Sequence, residues 1–229
     1  MWHSVINPVL RIFTRFDRRE EELVDVVTTS TTPGDLDAVI DAIDDFARNR
    51  KWLMNVGDEK GAILDAAIVR SQPRLLLELG TYMGYSALRT ARVMPDQARL
   101  FTLEVDPVRA AMAQKILAHA GVADRVTVVV AGLGDAMNDL GFETGSVDFV
   151  FVDHRKDLYL PDLQRLERSG WLHPGSVVVA DNVKYPGAPE YRKYLRQAEG
   201  RTWRTVTHHC HAEYQSVIRD IVLESQFLG

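Results

Sequence analysis

The sequence predicts an α/β fold in which helices cover both faces of a doubly wound, mostly parallel sheet. Short apolar and β-branched runs alternate with stretches of helical periodicity from Leu75 to about Ala198, and this alternation is typical of parallel sheets. Two of the apolar runs end in polar clusters, at residues 153–156 and 181–182. Open α/β sheets bind their ligands at such carboxyl ends of strands. At 229 residues, the chain is long enough for one such domain.

The individual elements follow from these patterns. We predict seven strands, at residues 75–79, 100–104, 126–130, 147–152, 177–180, 202–207 and 214–223. Helices are predicted from residue 36, where Asp35 is the cap, and at residues 60–69, 86–93, 107–120, 135–140, 158–168 and 190–198. The predicted loops before the first strand are residues 28–34 and 52–58.

The amino-terminal region is predicted to be a helical extension, residues 1–34, that precedes the main domain, residues 35–229. Its apolar residues at helical spacing are Val9, Ile12, Phe13 and Phe16. A basic amphipathic helix of this kind packs on the domain, contacts a second subunit or lies on a membrane surface, and we favour packing or a homo-oligomer contact. The apolar stretch is too short for a membrane span or a secretory leader.

Composition argues against several classes of function. The net charge of −5 and the pI near 5.8 disfavour a nucleic-acid partner, which requires a basic surface. Cys210 is the only cysteine, so no intramolecular disulfide can form. We therefore expect a reducing, cytoplasmic location. The expected partner is a small molecule.

The polar clusters predict a metal site. Asp153, Asp181 and Asn182 offer carboxylate and amide oxygens with no thiolate nearby in the sequence, and such oxygens suit Mg²⁺. Either aspartate alone is also typical of a turn or a helix cap. Two of them at successive strand ends favour the metal. Lys156 is the predicted general base, because a neighbouring cation disfavours its charged ammonium form.

The turn after the first strand predicts a cofactor loop. Glu78 precedes Gly80 and Gly84, and the spacing of these glycines departs from the dinucleotide-binding pattern G-x-G-x-x-G. Glu78 would also repel a phosphate, so a cofactor with a cationic end and no phosphates fits better; S-adenosylmethionine has both properties. Glu104 ends the second strand, where acidic residues bind ribose hydroxyls. Asp135 either reaches an adenine amine or caps a helix.

Several of these motifs resemble one known family. The segments at residues 52–58, 78–86, 153–157 and 181–189 together resemble the catechol O-methyltransferases in order and spacing. The likeness runs from about Leu36 to the carboxyl terminus. It implies a Rossmann-like methyltransferase fold, with S-adenosylmethionine and Mg²⁺ as cofactors.

The resemblance also implies roles for individual residues. It makes Asp153, Asp181 and Asn182 the metal ligands and Lys156 the base for a catechol hydroxyl. The residues expected around the cofactor are Met54, Val56, Glu78, Tyr82, Ser86, Glu104, Val105, Asp135, Asp153 and His154. Those expected against the substrate are Trp52, Lys156, Asn182, Pro186 and Glu213, of which Glu213 holds the second hydroxyl. The familiar animal enzymes carry a tryptophan in place of Arg155, and this departure predicts a preference for acidic catechols.

The function that the sequence predicts is Mg²⁺-dependent methyl transfer from S-adenosylmethionine to a catechol hydroxyl. Three alternatives stay open from the residues: methylation of another small-molecule hydroxyl, a dinucleotide-binding oxidoreductase, and a non-catalytic protein of the same fold. The missing glycine fingerprint opposes the oxidoreductase. The complete set of metal ligands and base opposes the non-catalytic protein.

Overall fold

A computed structural model describes residues 18–229 of the chain. Its centre is a seven-stranded sheet of order β3-β2-β1-β4-β5-β7-β6, in which β7 runs antiparallel to both of its neighbours. The strands are β1 Leu75–Leu79, β2 Arg99–Glu104, β3 Val126–Val130, β4 Val147–Val152, β5 Leu172–Ala180, β6 Trp203–His211 and β7 Arg219–Phe227. The helices are α1 Arg19–Ser30, α2 Leu36–Asn49, α3 Gly57–Ser71, α4 Tyr85–Val93, α5 Pro107–His119, α6 Leu133–Leu140, α7 Tyr159–Ser169 and α8 Pro189–Ala198. The predicted fold class is confirmed.

The sheet changes winding direction between β1 and β4. β1 pairs with β2 on one side and with β4 on the other, both in parallel register, which creates the crevice where such folds bind ligands. The chain segments beyond the two strands touch at Gly80, whose φ is +105°. A Cβ there would lie 2.8 Å from the carbonyl oxygen of Asp153, so only glycine allows this close approach.

Alternate strand residues point into two apolar layers. Leu76 and Phe149 belong to one buried cluster, whereas Leu77 and Val150 belong to the other, as the period of two in a strand requires. The β-branched and aliphatic runs form central strands because both of their faces are covered. None of the helices in residues 18–229 is long and apolar enough to cross a membrane.

The structure corrects several predicted boundaries. β5 begins at Leu172, where it pairs with Val147 and continues past a register shift, whereas we had predicted a start at residue 177. Helix α3 begins at Gly57, inside the predicted loop 52–58. β7 begins at Arg219 because residues 214–218 form a turn in which Tyr214 has a φ of +54°. Pairing partners and a left-handed residue are not visible in local composition.

The predicted loop 28–34 is also partly wrong, because α1 continues through Ser30. The hydroxyls of Thr28, Thr29 and Ser30 donate to backbone carbonyls four residues earlier, at 2.6–2.8 Å, and this bonding accommodates polar residues within a helix. Leu23 and Val27 of α1 are fully buried in the same cluster as the sheet. The predicted division between residues 34 and 35 stays a prediction, and the predicted helix around residues 9–16 lies outside the described residues.

Candidate active site

The ends of β4 and β5 bring the predicted metal ligands together. The backbone amide of Asp153 donates to Leu79 and that of Asp181 to Val152, so the strands end at the same level. Asn182 follows in a left-handed conformation, with a φ of +51°. Its backbone amide donates a hydrogen bond to Oδ1 of Asp181 at 2.6 Å. Asparagine tolerates this conformation better than most residues. The turn therefore directs two successive side chains into one site.

Lys156 lies within this cluster. Its Nζ is 3.0 Å from Oδ1 of Asp153, 3.3 Å from Oδ1 of Asn182 and 2.5 Å from the hydroxyl of Tyr159. Tyr159 is buried and donates in turn to the carbonyl oxygen of Asp181 at 3.0 Å. The 3₁₀ turn Lys156–Leu158 and the first residue of α7 thus hold the predicted base beside the predicted metal ligands.

Glu213 reaches the same site from the turn between β6 and β7. Its Oε1 accepts hydrogen bonds from Nδ2 of Asn182, at 2.8 Å, and from the ammonium group of Lys60. Among the described residues, Oε2 of Glu213 has no hydrogen-bond donor. This free oxygen is available to a substrate hydroxyl.

Lys60 is a buried cation that the sequence analysis did not identify. Its side chain is 0% exposed, and its Nζ lies 2.7 Å from Asp181 and 3.5 Å from Asp220 as well as against Glu213. Burial opposes its charge, but the carboxylates of Asp181 and Glu213 outweigh that effect and raise the pKa of Lys60. The ammonium group therefore neutralises part of a buried negative cluster.

The donor set suits a hard divalent cation. Oδ2 of Asp181 is buried and, among residues 18–229, accepts no hydrogen bond of good geometry, although Lys60 lies 2.7 Å away. Burial raises the pKa of Asp181 to about 7, against the charge of Lys60, which lowers it. Within residues 18–229, no three His, Cys, Asp or Glu side chains form a metal-binding group. The predicted set has two carboxylates and one amide, and Lys156 contacts two of its oxygens.

Glu78, at the start of the predicted cofactor loop, is a fully buried acidic residue. Its Oε1 accepts from Thr102 at 2.6 Å, while Oε2 is buried without a partner in the described structure. Burial raises the pKa of Glu78 to about 8, against the hydrogen bond from Thr102, which lowers it. An unpaired buried carboxylate oxygen is costly unless a ligand donor reaches it. A cationic or hydroxyl-bearing cofactor fits this oxygen.

Glu104 joins the loop after β1 to the start of α5 through hydrogen bonds from two backbone amides. Its Oε2 accepts from the amide of Tyr82 at 2.8 Å and its Oε1 from the amide of Asp106 at 3.0 Å. Each carboxylate oxygen has a second lone pair available for a ribose hydroxyl. Tyr82 itself donates from its hydroxyl to Glu20 of α1 at 3.2 Å, so the first described helix lies against the cofactor loop.

The other predicted cofactor residues differ in exposure. Met54 and Val105 are 52% and 70% exposed, Val56 is buried, and Asp135 is exposed in the first turn of α6. The N-cap of that helix is Gly132, so Asp135 is not the cap that we considered as an alternative. His154 is held by Asp162, at 2.7 Å from Nε2, and its Nδ1 is buried without a partner among the described residues.

The predicted substrate walls are at the surface. Trp52 is 41% exposed, and Pro186 is exposed in the turn Val183–Gly187. Arg155 does not point a free guanidinium at this region, because it forms two hydrogen bonds to Asp157, at 3.1 and 2.6 Å. Its charge is therefore already paired, which weakens the basis for the expected preference for acidic catechols.

Two missed residues, Lys60 and Asp220, had a signal in the sequence. Lys60 occupies the apolar phase of α3, with Leu64 and Ile68 following on the same buried face. Asp220 stands at the start of the buried run in β7. A charged residue at an apolar position is costly to bury unless it is paired, so both positions indicated a buried polar cluster.

The sheet order and the comparisons with known proteins place the chain among the Rossmann-like methyltransferases. The sequence profile of the O-methyltransferase family matches residues 32–195. A probable O-methyltransferase of Mycobacterium tuberculosis is 52% identical over 219 residues, which cover 93% of this chain and 94% of that protein. Catechol O-methyltransferase B of Danio rerio is 43% identical and covers 100% of this chain and 86% of the fish protein.

Solved structures show the same fold. The O-methyltransferase TomG of Streptomyces achromogenes, in complex with S-adenosylmethionine, superposes with a TM-score of 0.69 at 23% identity and covers 100% of this chain and 97% of its own. An O-methyltransferase of Bacillus cereus superposes with a TM-score of 0.68 at 20% identity, covering 99% of this chain and 98% of its own. The chain belongs to the O-methyltransferase family.

Proposed function

We propose that this protein transfers a methyl group from S-adenosylmethionine to one hydroxyl of a catechol and that the reaction requires Mg²⁺. The observation that supports this most directly is the convergence of Asp153, Lys156, Asp181, Asn182 and Glu213 at one edge of the sheet. It supplies oxygen ligands, a base and a hydroxyl acceptor together. The 43% identity to a fish protein named as a catechol O-methyltransferase is in accord with this substrate.

Asp153, Asp181 and Asn182 would hold the metal. When bound there, Mg²⁺ orients the two vicinal oxygens of a catechol and makes its hydroxyls more acidic. Glu213 accepts a hydrogen bond from the hydroxyl that is not methylated, through the Oε2 atom that has no donor in the described structure. With Asp153, Asp181 and Asn182 holding the metal and Glu213 accepting from the second hydroxyl, these residues would restrict the orientation of a bound catechol.

Lys156 removes the proton from the reacting hydroxyl. In its neutral form, Nζ takes the proton as the catechol oxygen attacks the methyl carbon and the bond from that carbon to sulfur breaks. The products are the methyl ether, S-adenosylhomocysteine and a protonated Lys156. Tyr159, 2.5 Å from Nζ, accepts a hydrogen bond from this lysine and keeps it at the site.

The cofactor is held by the loop after β1. The unpaired Oε2 of Glu78 fits a donor of the amino-acid end of S-adenosylmethionine, and Glu104 fits its ribose. A dinucleotide fits less well, because the spacing of Gly80 and Gly84 departs from the dinucleotide-binding pattern. Calorimetry should therefore detect binding of S-adenosylmethionine and its demethylated product but not of NAD.

The decisive experiment is methyl transfer from labelled cofactor to a panel of catechols and monophenols. EDTA should abolish transfer and Mg²⁺ should restore it, with Mn²⁺ as a substitute because it takes the same oxygen ligands. Asp181→Ala should remove transfer and leave cofactor affinity largely intact. Full activity in chelator refutes the metal assignment, and equal rates with monophenols favour the alternative of a non-catechol O-methyltransferase.

The location is proposed from the only cysteine. Cys210 is a free, buried thiol, and burial raises its pKa to about 12, so the thiolate form is scarce at neutral pH. The proposed compartment follows from the cysteine count: a chain with one cysteine has no intramolecular disulfide, which suits a reducing cytoplasm. Fractionation of the source cells with an antibody to the chain tests this.

A further inference from the structure

Asp220 is a fully buried carboxylate that would not touch metal or substrate. Its Oδ1 accepts from the backbone amides of Lys184, at 3.3 Å, and Tyr185, at 2.9 Å. Its Oδ2 accepts from Nδ2 of Asn182 at 2.9 Å. Lys60 lies 3.5 Å from Oδ2 and supplies compensating charge. Both carboxylate oxygens are thus committed to fixed donors.

These contacts determine the orientation of the Asn182 amide. Nδ2 donates one hydrogen to Asp220 and the other to Glu213. Ionised carboxylates only accept hydrogen bonds, so the amide nitrogen must face them. The amide oxygen therefore points the other way, towards Lys156 and the predicted metal position.

We propose that Asp220 is a positioning residue, which fixes the amide of Asn182 with its oxygen towards the metal. This inference rests on the proposed metal site. Replacing a group that is hydrogen-bonded to a metal ligand commonly lowers metal affinity by about 10–100-fold. Asp220 acts on the metal only through Asn182.

The substitution Asp220→Asn replaces the oxygen that accepts from Asn182 by an NH₂ group, which is a donor. Its carbonyl oxygen remains bound by the two backbone amides, so its NH₂ group faces the NH₂ group of Asn182. Two donors cannot pair, and Asn182 must either flip, which removes its oxygen from the metal, or lose its support. The affinity of the full chain for Mn²⁺ should fall by about 10–100-fold. It is measured from the electron paramagnetic resonance signal of the Mn²⁺ that remains free.

A reciprocal variant separates positioning from general damage. In the double variant Asn182→Asp, Asp220→Asn, the hydrogen bond to residue 220 returns with donor and acceptor exchanged, although residue 182 no longer donates to Glu213. The matched reference is the single variant Asn182→Asp, which has the same charge at residue 182 and the same loss at Glu213, so the double variant should bind Mn²⁺ about tenfold or more tightly than this reference. Should Asp220→Asn not fold, a double variant that binds Mn²⁺ no better than Asn182→Asp overturns the proposal.

Asp148→Asn is the matched control. Asp148 also accepts two backbone amides, from Arg74 at 2.8 Å and Leu75 at 2.9 Å, but next to the amino end of β1. The variant Asp148→Asn should be less stable than the wild type but bind Mn²⁺ with the same affinity. Wild-type affinity in Asp220→Asn, or no gain of the double variant over Asn182→Asp, overturns the role of Asp220 and leaves the proposed metal site untouched. A wild type that binds no Mn²⁺ overturns this proposal together with the proposed metal site.

Discussion

Replacing Lys60 by methionine tests the buried charge cluster most directly. Methionine is unbranched and of similar length, so Lys60→Met removes the charge with little change in packing. In the wild type, Nζ lies 2.7 Å from Asp181, 3.5 Å from Asp220 and against Glu213, with no exposed surface on the lysine side chain. The variant leaves these carboxylates without their shared cation.

The expected loss of stability follows from the contact between Lys60 and Asp181. At 2.7 Å, a unit charge pair contributes about 6 kcal/mol with an effective dielectric constant of 20. Part of this is offset because the lysine no longer has to be desolvated, and removal of one partner from a buried ion pair typically costs about 3–5 kcal/mol. For a chain of this size, each kcal/mol lowers the Tm by about 2–4 °C, so we expect a decrease of about 6–20 °C.

Differential scanning calorimetry with and without Mg²⁺ measures this change. Mg²⁺ should recover more Tm in Lys60→Met than in the wild type, because it would supply positive charge to Asp181, the carboxylate that lies against Lys60 and belongs to the proposed metal site. Lys115→Met, at an exposed position of α5, is the control and should leave the Tm nearly unchanged. A decrease of less than about 2 °C in Lys60→Met would refute the claim that this lysine compensates the cluster.

Three further results are expected. Since burial raises the pKa of Glu78 to about 8, the ligand-free carboxyl is mostly protonated at pH 7, and a cationic cofactor should expel that proton. The released proton is taken up by the buffer, so equal binding heats in phosphate and in Tris would contradict this. Gly80→Ala should cost about 2–4 kcal/mol of unfolding free energy, because its Cβ would meet the carbonyl of Asp153 at 2.8 Å; a denaturant midpoint like that of the wild type would be inconsistent with the described turn. Asp157→Asn should free Arg155 and raise the preference for acidic over amine-bearing catechols by up to about fivefold, whereas Arg155→Trp should erase it; identical rankings in competition assays would show that Arg155 does not contact the substrate.

Much of the fold was predictable because its signals are local. The strands at residues 75–79, 126–130 and 147–152 were predicted with the bounds that the structure has. Each is a short, bounded apolar run of a buried parallel strand, and the helices between them show their own periodicity. The errors arose where pairing with a neighbouring strand determines a strand boundary. One example is Leu172, where β5 begins because this residue pairs with Val147.

The same division holds for the site. The sequence by itself determined the strand-end residues Asp153 and Asp181, because position at the carboxyl end of a parallel strand follows from chain order and strand pattern. Only the tertiary structure decided which distant groups meet them. Lys60 comes from a helix before β1 and Asp220 from the last strand, and burial of their charges is possible only because they meet there. Local periodicity specifies the elements, whereas compensation of buried charge depends on contacts between segments far apart in sequence.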